Sequence, residues 1–202
     1  MNPFEPVLQW LKERNIQLNQ QQLDLIRDNT IVRTAKPKET LMGQDHVVEK
    51  FYFLNSGIIR LYRIHEGDDH TLGLVNSHEF LAAPQLVLSK EVSTCGIETL
   101  TDVDLLEWDG NAFMKIKQLI PEVYTIELAL MARLLNWVQQ NQIEMICFPA
   151  EKRYQLMMER QPEVVLNIPL KYIASYLGIH TDSLSRIRKG ASTESSRSRP
   201  RE

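Results

Sequence analysis

Thr181, Asp182, Ser183, Arg186 and Lys189 recur at helical spacing and share one outward face. Hydroxyls and a carboxylate pair with base-edge donors and acceptors, an arginine forks onto guanine O6 and N7, and a lysine meets a phosphate, so this face suits duplex DNA. Such side chains need a rigid helix to carry them. The run Ile168 to Lys189 supplies one: Leu170, Ile173, Ala174 and Leu177 fall at i, i+3, i+4 and i+7 along a first helix. Gly178 can end that helix in a left-handed conformation, and small Ala174 lets two helices cross closely. His180 or Thr181 can cap a second helix, on which Leu184 and Ile187 continue the apolar face. The spacing predicts a helix-turn-helix, and the arginine-bearing second helix separates it from an ordinary helical hairpin.

With a formal net charge of −3 over 202 residues, DNA affinity has to come from a local basic surface rather than from the whole molecule. Arg186, Arg188, Lys189, Arg197, Arg199 and Arg201 gather such a surface near the end of the chain, diluted by Glu194 and Glu202. The two cysteines, Cys95 and Cys147, are far apart and lack metal-ligand spacing, so no metal or other cofactor is expected. The chain starts without a basic segment leading into an apolar core, and no apolar run approaches membrane-spanning length. A soluble cytoplasmic protein with no membrane partner is the expectation.

Upstream, Pro3 to Asp28 read as two short helices, the second capped by Asn19 with Gln22 three residues on. From Ile31 to Asp109, short Val, Ile, Leu, Phe and Tyr runs are punctuated by turn residues, the pattern of an all-β unit. Phe51-Tyr-Phe-Leu54 and Ile58 to Ile64 are its clearest strands, joined by a tight turn at Asn55-Ser-Gly57. Asp109 can cap a helix through Leu119, and Pro121 heads a longer helix to about Met145. Along it Ile126, Leu130, Leu134, Trp137 and Asn141 form a seam. That seam either packs on the β unit or pairs with the same helix of a second chain, with Asn141 setting register; pairing is preferred. After Phe148-Pro149 come a helix over Ala150 to Arg160 and a strand candidate at Val164-Val-Leu166. The tail from Gly190 reads as disordered.

Lys36-Pro-Lys-Glu-Thr-Leu41, Phe51 to Gly57 and Arg60-Leu-Tyr62 resemble the opening of the sensor domain in the Crp/Fnr family of bacterial transcription regulators. Ile173-Ala174, Leu177-Gly-Ile179 and Leu184-Ser-Arg-Ile187 are similar to that family's DNA-reading helices, the more specific of the two likenesses. The resemblance implies an α+β protein: an antiparallel β jelly roll (double-stranded β-helix) sensor over 1–120, a dimerisation helix over 121–147, a helix-turn-helix over 148–190 and a disordered basic tail over 191–202. It implies a non-enzymatic homodimer that binds double-stranded DNA through Thr181, Asp182 and Arg186, with the long helix as interface.

Members of that family that bind cyclic nucleotides hold ribose with a glutamate and phosphate with an arginine. Here Phe80-Leu81 runs into Ala82-Ala83, and the later triplet is Ser93-Thr94-Cys95, so both charged groups are missing. The corresponding pocket of Phe80, Leu81, Ala82, Ala83, Ser93 and Thr94 is expected to take an unknown small-molecule effector or none, and neither cyclic AMP nor cyclic GMP. No β-hairpin wing of the family's kind is read after the second helix, and the arginine-dotted tail is expected to be able to replace its phosphate contacts electrostatically. Two other readings compete: an interaction protein whose helix-turn-helix no longer reads DNA, and, with less support, a cupin-like metal enzyme. The enzyme is disfavoured because no two of His46, His65, His70, His78 and His180 sit two apart on a strand.

Overall fold

The computed structural model describes residues 2–81 and 84–197. Two helices open the chain, α1 (Glu5–Glu13) and α2 (Gln20–Asp28). Asn19 caps α2 reciprocally: its side-chain oxygen accepts from Gln22 N–H at 2.9 Å, and its own N–H donates to Gln22 Oε1 at 2.8 Å.

Strands β1 (Ile31–Ala35), β2 (Thr40–Met42), β3 (Lys50–Ser56), β4 (Ile59–His65), β5 (Asp68–Val75) and β6 (Glu79–Leu81) follow. After the short helix α3 (Pro84–Ser89) come β7 (Gly96–Thr99) and β8 (Val103–Asp109). They form two antiparallel four-stranded sheets, ordered β1-β8-β3-β6 and β2-β7-β4-β5. The turn after β3 is therefore a crossover between sheets, since β3 bonds to β6 and β8 while β4 bonds to β5 and β7. Gly57 makes it possible: at φ +94° a Cβ there would lie 2.3 Å from the Asp102 carbonyl oxygen.

Both faces of β3 are covered, which is why its apolar run has no polar alternation. Tyr52 and Leu54 point between the sheets with Ile59, Ile97 and Leu105. Phe51 and Phe53 point outward onto α1 and two later helices. The first of these is α4 (Gly110–Leu119), capped by Asp109, whose carboxylate accepts from Ala112 N–H at 2.8 Å. The second, α5 (Val123–Cys147), is the long one.

Beyond α5 lie α6 (Ala150–Arg160), α7 (Pro162–Asn167), α8 (Leu170–Tyr176) and α9 (Thr181–Arg197). The expected strand at Val164 to Leu166 is instead α7. Pro162 sits in its first turn, where the missing N–H costs nothing, and the adjacent Val164 and Val165 are both buried among Tyr154, Ile173 and Leu184. Tertiary burial overrides the β preference of the two valines. Ile58 and Leu74 of the β unit join this same core, so the C-terminal helices rest directly on the roll.

Helix α9 continues seven residues past Gly190, into the region expected to be disordered. Gly190 is not among the left-handed glycines, so nothing at that position turns the helix off. Residues 198–202 lie outside the described residues.

Candidate nucleic-acid interface and effector pocket

The turn between α8 and α9 is a Schellman closure. Gly178 is left-handed at φ +64°; its N–H bonds to Ser175 O at 3.0 Å, and Ile179 N–H to Ala174 O at 3.0 Å. Arg153 clamps the turn to α6, donating to Leu177 O and to Phe148 O, each at 2.6 Å. Leu184 is fully buried and Ile187 partly so. Thr181, Asp182, Ser183, Arg186 and Lys189 are all exposed, on one side of a helix whose other side is core.

Helix α8 lies against β5 of the roll, where Thr71 N–H donates to Ser175 Oγ at 2.8 Å. Arg60 organises that junction from a nearly buried position. Its Nε donates to Glu98 at 2.8 Å, its two terminal nitrogens reach Asp69 at 2.6 and 2.9 Å, and its guanidinium stacks on Tyr62 and Tyr172 at 4.8 and 4.4 Å. Neither this cluster nor its link to α8 is foreshadowed in the sequence beyond a lone arginine in an apolar run.

The seam residues of α5 divide. Ile126 and Leu130 pack against the roll's own outer core. Trp137 lies against Gly73 of β5, and Asn141 accepts from Tyr176 Oη at 3.2 Å. Leu134 is half-exposed beside them. A different stripe is open to solvent: Tyr124, Leu128, Met131, Leu135, Val138 and Met145, with Gln142 completing alternating steps of four and three. The spacing was available in the sequence, but it competes there with the equally regular inner stripe.

Among the described residues of the predicted effector set, the side chains face different ways. Leu81 is packed between the sheets, whereas Phe80 points the other way into an aromatic cluster with Trp10, Phe53 and Trp108. Ser93 spends its hydroxyl locally, donating to Cys95 O at 2.6 Å and accepting from Cys95 N–H at 3.3 Å. Thr94 is exposed, its carbonyl held by Arg63. Ala82 and Ala83 lie outside the described residues. A cavity of about 70 Å³ touches Phe80 from outside the roll, with an almost wholly apolar lining that includes Phe4, Leu11, Phe113 and Ile126.

Within the roll the charged centre lies elsewhere. Glu107 is 3% exposed, and its oxygens accept from Arg33 at 2.7 Å and Lys50 at 2.5 Å, while Arg33 also pairs with Glu39. Burial alone would raise the Glu107 pKa, but the hydrogen bonds from Lys50 and Arg33 outweigh it and hold the carboxyl below its usual range. A lowered carboxyl contributes stability above the unfolded-state value, about 4.3, and loses it as pH falls through the folded value. Glu107→Gln should therefore melt lower at neutral pH and show a shallower loss of melting temperature below about pH 4.3 than the wild type. Parallel acid limbs for the two proteins would refute this.

Among the described residues, no helix is long and apolar enough to cross a membrane, and no three His, Cys, Asp or Glu side chains group as a metal site. Residues 32–119 match the family described as Cyclic nucleotide-binding domain. No curated protein matches the chain by sequence. Among solved structures, FixK2 from Bradyrhizobium japonicum superposes with a TM-score of 0.72 at 16% identity, covering 82% of this chain and 86% of that one. The c-di-GMP responsive global regulator CLP from Xanthomonas campestris gives 0.68 at 14% identity, over 88% and 93% of the two chains. The Thermus thermophilus catabolite activator protein gives 0.53 at 19%, over 88% and 85%. Residues 32–119 are thus similar to a cyclic nucleotide-binding domain, and the chain's arrangement of β-roll, long helix and terminal helices shares its fold with these solved structures.

Proposed function

We propose that the chain is a homodimeric, sequence-specific DNA-binding transcription regulator of Crp/Fnr type. The observation that carries this reading is the outward face of α9: five polar or charged residues on a helix fixed by the Gly178 turn and seated through Leu184. The global regulator CLP named among the structural neighbours shares the fold over 88% of the chain, which supports this reading. The apolar stripe of α5 supports a second copy as partner, with steps of four and three suited to helix pairing.

Arg186 is the principal base reader in this proposal, since it projects from the middle of the exposed face and can fork onto a guanine. Binding-site selection followed by titration tests it: Arg186→Ala should cost about 1–3 kcal/mol on the preferred site and relax one base position per half-site. Unchanged sequence preference in that variant would remove α9 from the reading role.

Cyclic AMP and cyclic GMP should produce no saturable heat on calorimetric titration. The local pairing of the Ser93 hydroxyl and the inward packing of Leu81 leave the phosphate and ribose of such a ligand without partners at these positions. Micromolar affinity for either would show that the roll holds nucleotides by other residues.

A further inference from the structure

Helix α5 passes over the edge strands of both sheets, and three successive turns of one face touch three different elements. Arg133 pairs with Glu79 of β6, Trp137 lies on Gly73 of β5, and Asn141 accepts from Tyr176 of α8. Gly73 faces the roll interior: it pairs with Leu61, and both Leu61 and Val75 pack into the core between the sheets. A Cβ on Gly73 would sit 3.1 Å from Trp137 Cζ2 and 3.2 Å from Cη2, so the far edge of the indole fills the space that a side chain on β5 would take. The register shift between Leu61 and Tyr62, with Leu72 half-exposed beside it, shapes this notch. Deeper in, Tyr52, Leu54, Ile59, Ile97 and Leu105 leave the interior packed.

We propose that Trp137 acts as a built-in ligand of the β-roll: its indole occupies the Gly73 notch, ties roll closure to the direction of α5, and makes DNA binding independent of any added small molecule. The inference rests on the DNA-binding reading above and specifies its regulation. In physical terms, a free effector can shift such a protein only by its differential affinity for two arrangements. A tethered indole at very high effective concentration keeps one arrangement populated throughout. Asn141 carries the same constraint to α8, one turn further along the helix.

The test replaces the tether by a free ligand. Wild-type protein with nothing added should bind its selected DNA site, and indole should not change that affinity. Trp137→Gly should weaken binding by about tenfold or more, in the usual range of allosteric coupling, and millimolar indole should restore it to within about threefold by refilling an apolar notch. Hydrogen exchange of β5 amides should slow when indole is added to the variant. Undiminished DNA binding by Trp137→Gly without indole overturns the proposal, and so does indole that fails to restore binding. Should Trp137→Gly fail to fold, Gly73→Val replaces it: the valine keeps Trp137 but expels its ring, and DNA binding equal to wild type would again overturn the idea. If the wild type binds no DNA, the regulator reading itself has failed. The exchange measurement then still decides whether indole seats in the notch.

Discussion

Leu128→Asp with Leu135→Asp is expected to yield a folded monomer that has lost specific DNA binding. Both leucines are about 70% exposed in the isolated chain, at 71% and 68%, and both lie on the outer stripe of α5. Burying a leucine contributes about 1.5–3 kcal/mol, so a symmetric interface loses several kcal/mol when four of them become carboxylates. On the proposed reading such a monomer would meet one half-site instead of two, and losing that linkage should weaken binding by about 10²- to 10⁴-fold. Sedimentation equilibrium and DNA titration on the same sample check both halves. Persistence of the dimer would place the interface elsewhere. Ile126→Asp and Leu130→Asp should behave differently, lowering the melting temperature sharply, because those side chains face the chain's own core.

What the sequence makes legible follows from how local each signal is. The turn from α8 to α9 can be read because its determinants, an i, i+3, i+4, i+7 stripe and a left-handed glycine, act within a few residues of one another. The same holds for the caps at Asn19 and Asp109. Strand existence is likewise visible between turn residues, but strand pairing is not. Only the three-dimensional path shows that β3 and β4, separated by two residues, belong to different sheets. At Val164 and Val165 the local β preference points the wrong way, since burial on a short helix decides the outcome. On α5, two apolar stripes share one helix with the same periodicity, and a one-dimensional pattern cannot tell which is covered by the roll. The charged pairs are the least visible of all. Arg33 and Glu107 stand 74 residues apart, and no local rule connects them.

Arg60 is the clearest instance of such long-range logic, and its removal should be strongly damaging to the roll. The side chain is only 5% exposed, and burial by itself would disfavour its charge. The carboxylates of Asp69 and Glu98 reverse that, raising its pKa, and the rings of Tyr62 and Tyr172 close over the guanidinium from the roll and from α8. Arg60→Ala leaves the Glu98 carboxylate, itself only 18% exposed, without its partner and removes the cation from beneath Tyr172. Breaking a buried pair from one side costs about 3–5 kcal/mol, a large part of the stability of an ordinary domain. For a chain of this length that is a fall of roughly 6–20 °C in melting temperature. Arg60→Lys should recover only part of it, since a point charge cannot reach two carboxylates and stack on two rings together. The decisive comparison is a double-mutant cycle of Arg60→Met with Tyr172→Leu. Tyr172 belongs to α8 and Arg60 to the roll, so a coupling of about 0.5–2 kcal/mol would measure the bond between the two units directly. Additive losses would mean that the C-terminal helices hold to the roll through Ile58, Leu74 and the Thr71–Ser175 hydrogen bond, with Arg60 serving only its own sheet.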